Sequence, residues 1–264
     1  MAIGIRASYD PTVTQTAPHP VAPAGASKSY PLVPDAPAAA IAPEGMPIVL
    51  VFLAVGLGAT AGALMWNPIA GYAVGALTLV LNVWCLWFFR DPARRIPGDP
   101  AAVVSPANGR VVAVDRMPPP AEVEVSPEFR ATCLRISIFM NVFDVHVNRA
   151  PVQGRVVRVK HQVGKFLNAA LQKAAEENER CSLVMRTEDG REVVAVQIAG
   201  LVARRIVCRV GDGRDLKKGE RYGLIRFGSR VDVFVPAGTE PGVKIGDKTV
   251  SGESVIARLA PVGR

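Results

Sequence analysis

Gly223-Leu-Ile-Arg-Phe-Gly-Ser-Arg-Val-Asp-Val-Phe-Val-Pro236 lies near the C-terminus of this 264-residue chain and reads as two apolar, strand-forming runs broken at Gly228-Ser229-Arg230. A serine that follows a glycine at such a break can attack the preceding carbonyl if the turn is held strained, because glycine leaves that carbonyl open to approach. Alone, the tripeptide equally describes an ordinary β-turn. Its meaning depends on the rest of the chain.

Working outward, the region from about Asp99 carries short β-branched runs punctuated by Gly, Pro or Asp. They are Val103-Val104, Arg110 to Val114, Cys133 to Phe139, Val142 to Val147, Val152 to Val159, Leu183 to Arg186, Glu192 to Gln197 and Arg204 to Val210. The pattern predicts a mainly β domain interrupted by one helix, Leu167 to Arg180, where Ala, Leu, Gln, Lys and Glu follow in helix-forming order. Ser105 to Val112 and Pro241 to Ala257 share a style of short strands and Gly turns, so the two segments are expected to pair as halves of one barrel-sandwich-like unit.

Upstream, Pro47 to Met65 and Ile69 to Phe89 are uncharged apolar runs, each near the ~20 residues a helix needs to cross a bilayer. Trp66-Asn67-Pro68 between them suits a tight turn, so the pair predicts a transmembrane hairpin over residues 47–89. Trp66, Trp84 and Trp87 fall near the run ends, where indole rings favour the membrane interface. Arg90, Arg94 and Arg95 follow at once, which places residues 90–264 on the cytoplasmic side of the inner membrane. Residues 1–46, rich in Pro and Ala, are expected to form a disordered tail. The net charge of +8 is consistent with an anionic membrane surface. No basic stripe interleaved with aromatics points to nucleic acid.

The four cysteines, Cys85, Cys133, Cys181 and Cys208, have no C-x-x-C spacing and read as reduced thiols. No P-loop, dinucleotide fingerprint or metal motif is present, so no metal is expected. Of three histidines, His19 lies in the tail and His161 precedes the expected helix. His146 is the candidate for chemistry: alternation along Phe143-Asp-Val-His-Val-Asn-Arg149 places Asp144, His146 and Asn148 on one face, an arrangement suited to proton transfer or to a solvent-facing strand edge.

Six blocks in order resemble the short form of the phosphatidylserine decarboxylase family. They are Phe88-Phe-Arg-Asp-Pro-Ala-Arg94, Ser105-Pro-Ala-Asn-Gly109, Phe139 to Val152, Gly164-Lys-Phe-Leu-Asn-Ala-Ala170, Glu176-Glu-Asn-Glu-Arg180 and Arg226-Phe-Gly-Ser-Arg-Val-Asp232. The resemblance implies a proenzyme that cleaves itself between Gly228 and Ser229, giving two chains that stay together as a heterodimer. It implies that Ser229 becomes a covalent pyruvoyl group, which holds the amine of phosphatidylserine and takes up the electrons released as carbon dioxide leaves. His146 matches a histidine implicated in decarboxylation and is the expected general acid.

The chain departs from the family pattern at Asn108, where the Ser-Pro-Ala-x-Gly block usually carries Asp, and at Arg149, where long-form members carry a second histidine. Both belong to the self-cleavage relay, so the base for cleavage is open. Other readings are an uncleaved lipid-binding relative, a membrane-anchored barrel-sandwich adaptor, and a lipoyl- or biotinyl-type carrier with Lys248 at a hairpin tip. Neither the adaptor nor the carrier accounts for the blocks around Gly228 and Ser229.

Overall fold

The computed structural model describes residues 32–34, 40–165, 169, 177–201, 205–226 and 228–261. β-branched runs dominate residues 90–261, and they assemble into antiparallel sheets. The largest has eight strands in the spatial order Asp215–Leu216, Gly154–Gln162, Arg180–Arg186, Glu192–Ala199, Ser229–Val235, Leu134–Met140, Gly109–Arg116 and Lys248–Thr249. Ile206–Cys208, Arg221–Ile225 and Val147–Arg149 form one three-stranded sheet, and Glu240–Pro241, Val255–Arg258 and Ala102–Val104 form another.

Alternation along the strands explains the layering. Val231, Val233 and Val235 point to one face of the large sheet, where Ile136, Ile138, Leu183 and Ala195 meet Tyr222 and Ile225 of one small sheet and Val103 and Ile256 of the other. Phe234 points to the opposite face, packing with Val184, Val194, Val196 and Ile198 under Val123 and Phe129. Phe129 belongs to a short helix, Pro127–Thr132, whose start is capped by Ser126 Oγ accepting from Phe129 N at 3.3 Å. With both faces covered, all seven residues of Ser229–Val235 are buried.

The expected pairing of the two Gly-punctuated segments is present. Lys248 faces Arg110 and Thr249 faces Gly109, while Val255–Arg258 lies against Ala102–Val104. The expected helix from Leu167 falls mostly on residues outside those described. Its end differs from expectation: Glu177 is helical, but Asn178 bridges Lys165 and Arg180 already opens the Arg180–Arg186 strand. Cross-strand pairing over Arg180–Arg186 and a buried Asn178 amide bonded to the Ala199 carbonyl at 2.7 Å override helix propensity there.

Two helices precede the β domain, α1 (Met46–Trp66) and α2 (Pro68–Phe88), with Asn67 alone between them. Asn67 Oδ1 accepts from Ile69 N and Ala70 N, capping α2. The helices run antiparallel over small residues: Gly56 lies against Thr78, Thr60 against Gly75 and Leu64 over Gly71. Close approach over Gly and Thr is how apolar helices associate without a hydrophobic driving force. Leu50, Val51, Leu57, Leu79 and Val80 remain exposed, and both helices are long and apolar enough to cross a membrane.

Part of the segment expected as a tail is described. Residues 1–31 lie outside those described, but Leu32–Pro34 pairs with Arg95–Pro97 and Ile41 bridges Arg90. Ala42 N donates to Phe89 O at 2.8 Å and Asp91 N to Ala40 O at 2.9 Å, so the chain entering the hairpin is clasped to the chain leaving it. Backbone pairing needs no hydrophobic period, which is why a Pro- and Ala-rich composition concealed it.

Candidate active site

Ser229 opens a central strand of the large sheet, paired with Met140 on one side and Ala199 on the other. Its side chain shares the face of Val231 and is fully buried, and Oγ has no hydrogen-bond partner among the described residues. The residue before it, Gly228, has φ +51°, a left-handed conformation that glycine alone adopts at little cost. The Gly228 carbonyl is pressed against Gly200, where a Cβ would stand 1.9 Å from the carbonyl oxygen. The Gly228–Ser229 bond is thus held by position: a left-handed residue before it, a ladder after it, and a bare Cα against its oxygen.

His146 reaches the neighbourhood by a different route. The chain leaves the large sheet at Met140 and enters a small one at Val147, just as it leaves Ile225 of that small sheet to re-enter the large one at Ser229. These two connections therefore run side by side, and Ile225 N donates to the His146 carbonyl at 3.4 Å. Val142 to Val147, expected as a strand, is a turn up to Asp144. Asn141 Oδ1 accepts from Phe143 N at 2.8 Å and Asp144 Oδ2 from Asn141 N at 2.9 Å, short polar side chains winning over β propensity.

That turn separates Asp144 from the face assigned to it. Its carboxylate closes the turn, whereas its backbone carbonyl meets His146 Nδ1 at 2.9 Å. A carbonyl only accepts, so the neutral ring carries its proton on Nδ1 and presents a bare Nε2 lone pair. Nε2 is buried without a partner among the described residues. The ring is 2 % exposed and stacks at 4.3 Å on Phe88, the last residue of α2. Burial, with a smaller push from Arg90, pulls the imidazole down to about 4 against the opposing bond from Asp144, so it is neutral at physiological pH.

Asn148 lies deeper, its Oδ1 accepting from Gln197 Nε2 at 2.8 Å. Gln197 sits on the Ser229 face, opposite Val231, and its own Oε1 is buried without a partner among the described residues. Asn108 is elsewhere: its Oδ1 accepts from Arg94 Nη2 at 3.1 Å, Ser251 N at 3.1 Å and Ser251 Oγ at 2.9 Å. Arg149 turns away as well, pairing with Asp91 at 3.0 Å and donating to the carbonyls of Gly219 and Pro92. Gly228, Ser229 and His146 are thus gathered around one pair of connections, while Asn108 and Arg149 brace two others. Sequence reasoning missed Gly200 and Gln197, whose roles arise only when distant strands are set side by side.

The phosphatidylserine decarboxylase family profile matches residues 81–257. The chain belongs to the phosphatidylserine decarboxylase family. It is 49% identical over 216 residues to a phosphatidylserine decarboxylase proenzyme of Cereibacter sphaeroides, covering 82% of this chain and 88% of that one. A proenzyme of the same name from Paramagnetospirillum magneticum is 49% identical over 82% of this chain and 85% of its own. A third, from Magnetococcus marinus, is 47% identical over 83% and 95%. The phosphatidylserine decarboxylase match takes in the end of α2, the His146 turn and the Gly228–Ser229 junction together.

Proposed function

We propose that this protein is a self-cleaving proenzyme that decarboxylates phosphatidylserine to phosphatidylethanolamine, with a pyruvoyl group made from Ser229. The observation that carries this is the buried Ser229 Oγ, without a partner among the described residues, directly after left-handed Gly228. A buried hydroxyl without a partner costs about 1–3 kcal/mol, a cost expected where the group is kept for reaction.

Cleavage needs only the chain's own atoms. Ser229 Oγ attacks the Gly228 carbonyl carbon, the amide becomes an ester, and β-elimination releases the Met1–Gly228 carboxylate and leaves dehydroalanine at 229. Water then converts the dehydroalanine to pyruvoyl and ammonia. The site fits the group: the planar product is smaller than the serine it replaces, it gives up a hydroxyl that has no partner among the described residues, and Val231 to Val235 hold its strand in place. When present, the pyruvoyl group supplies an electron sink for the departing carboxylate.

His146 holds the proton. Its bare Nε2 makes it a base first, fit to accept a proton from the incoming ammonium of the substrate. Once charged it becomes the acid that returns a proton to the substrate Cα, and the unfavourable burial of its cation drives that return. Asn108 braces the Ser105–Gly109 turn against Ser251 and is not the cleavage base.

The hairpin anchors the enzyme in the inner membrane with the catalytic domain cytoplasmic, Arg90, Arg94 and Arg95 setting the orientation. The products of cleavage stay together because Ser229–Val235 is sandwiched between Glu192–Ala199 and Leu134–Met140 of the other chain. Intact mass of the purified protein tests the proposal: two chains, the smaller starting at residue 229 with a blocked, ketone-bearing N-terminus, and carbon dioxide released from phosphatidylserine. A Ser229→Ala variant that still releases carbon dioxide refutes it.

A further inference from the structure

Five strands of the large sheet end or begin along one edge, at Gln162, Arg180, Ala199, Ser229 and Met140, in consecutive register. Among the described residues outside the helical hairpin, six large apolar side chains are exposed: Leu32, Phe143, Val157, Val163, Leu201 and Ile245. Three of them fall on the segments that leave this edge. Val163 follows Gln162 and is 80 % exposed, Leu201 follows the Gly200 that abuts the Gly228 carbonyl and is 68 % exposed, and Phe143 lies in the turn after Met140 at 64 %.

The hairpin is fastened at the same place. Phe88 stacks on His146, and Arg90 lies over the exposed Trp87 ring while donating from Nη2 to the Phe143 carbonyl at 2.8 Å. A bilayer enclosing α1 and α2 therefore ends level with Trp87, Arg90 and Phe143, since Trp and Arg settle at the headgroup layer. Apolar side chains fixed at that level are stabilised by entering the lipid and are costly in water.

We infer that the sheet edge bearing Ser229 rests directly on the lipid bilayer, with Phe143, Val163 and Leu201 inserted at headgroup depth. The catalytic domain then does not hang from its hairpin at a distance. The site opens toward the membrane, and a diacyl lipid presents its headgroup there without leaving the bilayer. The docking rests on the membrane reading of the hairpin, and its kinetic consequence on the decarboxylase reading.

Nitroxide labels test the docking independently of catalysis. Phe143→Cys, Val163→Cys, Leu201→Cys and, as the reference, Ile245→Cys are made in the full-length protein and reconstituted in phosphatidylglycerol–phosphatidylcholine vesicles, with labelling of the parent protein as background. Labels at 143, 163 and 201 should be shielded from an aqueous nickel chelate and open to oxygen, and the label at 245 the reverse. Equal exposure of all four to the chelate overturns the inference. In addition, Phe143→Ser, Val163→Ser and Leu201→Ser combined should lower the ratio of turnover on vesicle phosphatidylserine to turnover on a short-chain, monomeric phosphatidylserine by about tenfold. An unchanged ratio also overturns it. Shielded labels on a parent protein that decarboxylates neither lipid would uphold the docking and remove the decarboxylase reading instead.

Discussion

Two buried polar clusters lie on either side of the Val147–Arg149 strand, and they are built to opposite rules. At one, Asp91 is 4 % exposed and its two oxygens take Arg149 and Arg221, while the two Nη atoms of Arg149 also donate to the carbonyls of Gly219 and Pro92. At the other, Ser229 Oγ, His146 Nε2 and Gln197 Oε1 are buried with no partner among the described residues. The Asp91 carboxylate, with both oxygens taken by arginines, holds the end of the hairpin to the β domain, because an ion pair this deep stands only when its geometry is good. Unfilled valences are tolerated where chemistry will use them. On the proposed function, the contrast separates residues that keep the fold from residues that act.

The comparison is broken most severely by placing one methyl group. Gly200→Ala would set a Cβ 1.9 Å from the Gly228 oxygen, so the scissile bond must shift. Self-cleavage should fall to a trace, leaving one full-length band on a denaturing gel, while the Asp91 cluster stays intact and the melting transition remains cooperative. Normal cleavage in a folded Gly200→Ala protein would show that the position of that carbonyl does not matter.

His146→Ala sharpens the division of labour within the unfilled cluster. The variant should still give two chains and lose roughly 100- to 10,000-fold in turnover, the range typical of acid–base catalysis. A single uncleaved chain would move His146 into maturation. The pH dependence follows from the imidazole held at about 4 instead of 6.5. The acid limb of kcat/KM should lie near pH 4. Between 6.5 and 4 the unfolded chain binds a proton at this position that the native protein does not, so native stability should fall as the pH drops through that window, by about 3 kcal/mol in all. His146→Ala should lack that slope in urea titrations.

At the filled cluster the expected loss is in stability. Asp91→Ala strips Arg149 and Arg221 of their shared counter-ion and should cost about 3–5 kcal/mol, read as a lower urea midpoint, with turnover per folded molecule largely kept. Loss of turnover without loss of stability would mean that Asp91 acts on the chemistry.

How much of this was legible in the sequence depends on what each residue answers to. Ser229–Val235 and its neighbours were readable because β-branched runs and Gly breaks are local signals. The hairpin was readable because two uncharged runs of bilayer length flank Asn67. His146 was found, yet its partner was misplaced: alternation takes Asp144 to be in a strand, whereas Asn141 and Asp144 bond their own backbone and form a turn. Gly200 gave no local sign at all. Its role exists only because Ala199 pairs with Ser229, a contact between residues thirty positions apart. The short helix at Pro127 was legible in hindsight, since Ser126-Pro127-Glu128 is a cap, a helix-first proline and an acid in the first turn.

Asn108→Asp is the smallest expected effect and the one that tests where Asn108 belongs. As an acceptor, Asn108 Oδ1 already takes three donors, from Arg94 Nη2, Ser251 N and Ser251 Oγ, the set a carboxylate would take. Burial and the nearby Arg149 both weigh against the Arg94 cation, so an added negative charge should be welcomed. Because Asn108 is only half-buried, the gain should stay within about 1 kcal/mol. Asn108-Gly109 also deamidates readily in principle, so an aged sample should gain about one mass unit on this peptide, as expected when the amide nitrogen is exchanged for oxygen. If Asn108 belongs to the filled side of the comparison, neither the variant nor the aged protein will cleave faster than fresh protein. A marked acceleration in both would place a carboxylate at 108 in the maturation machinery, and the boundary between the two clusters would have to be redrawn around it.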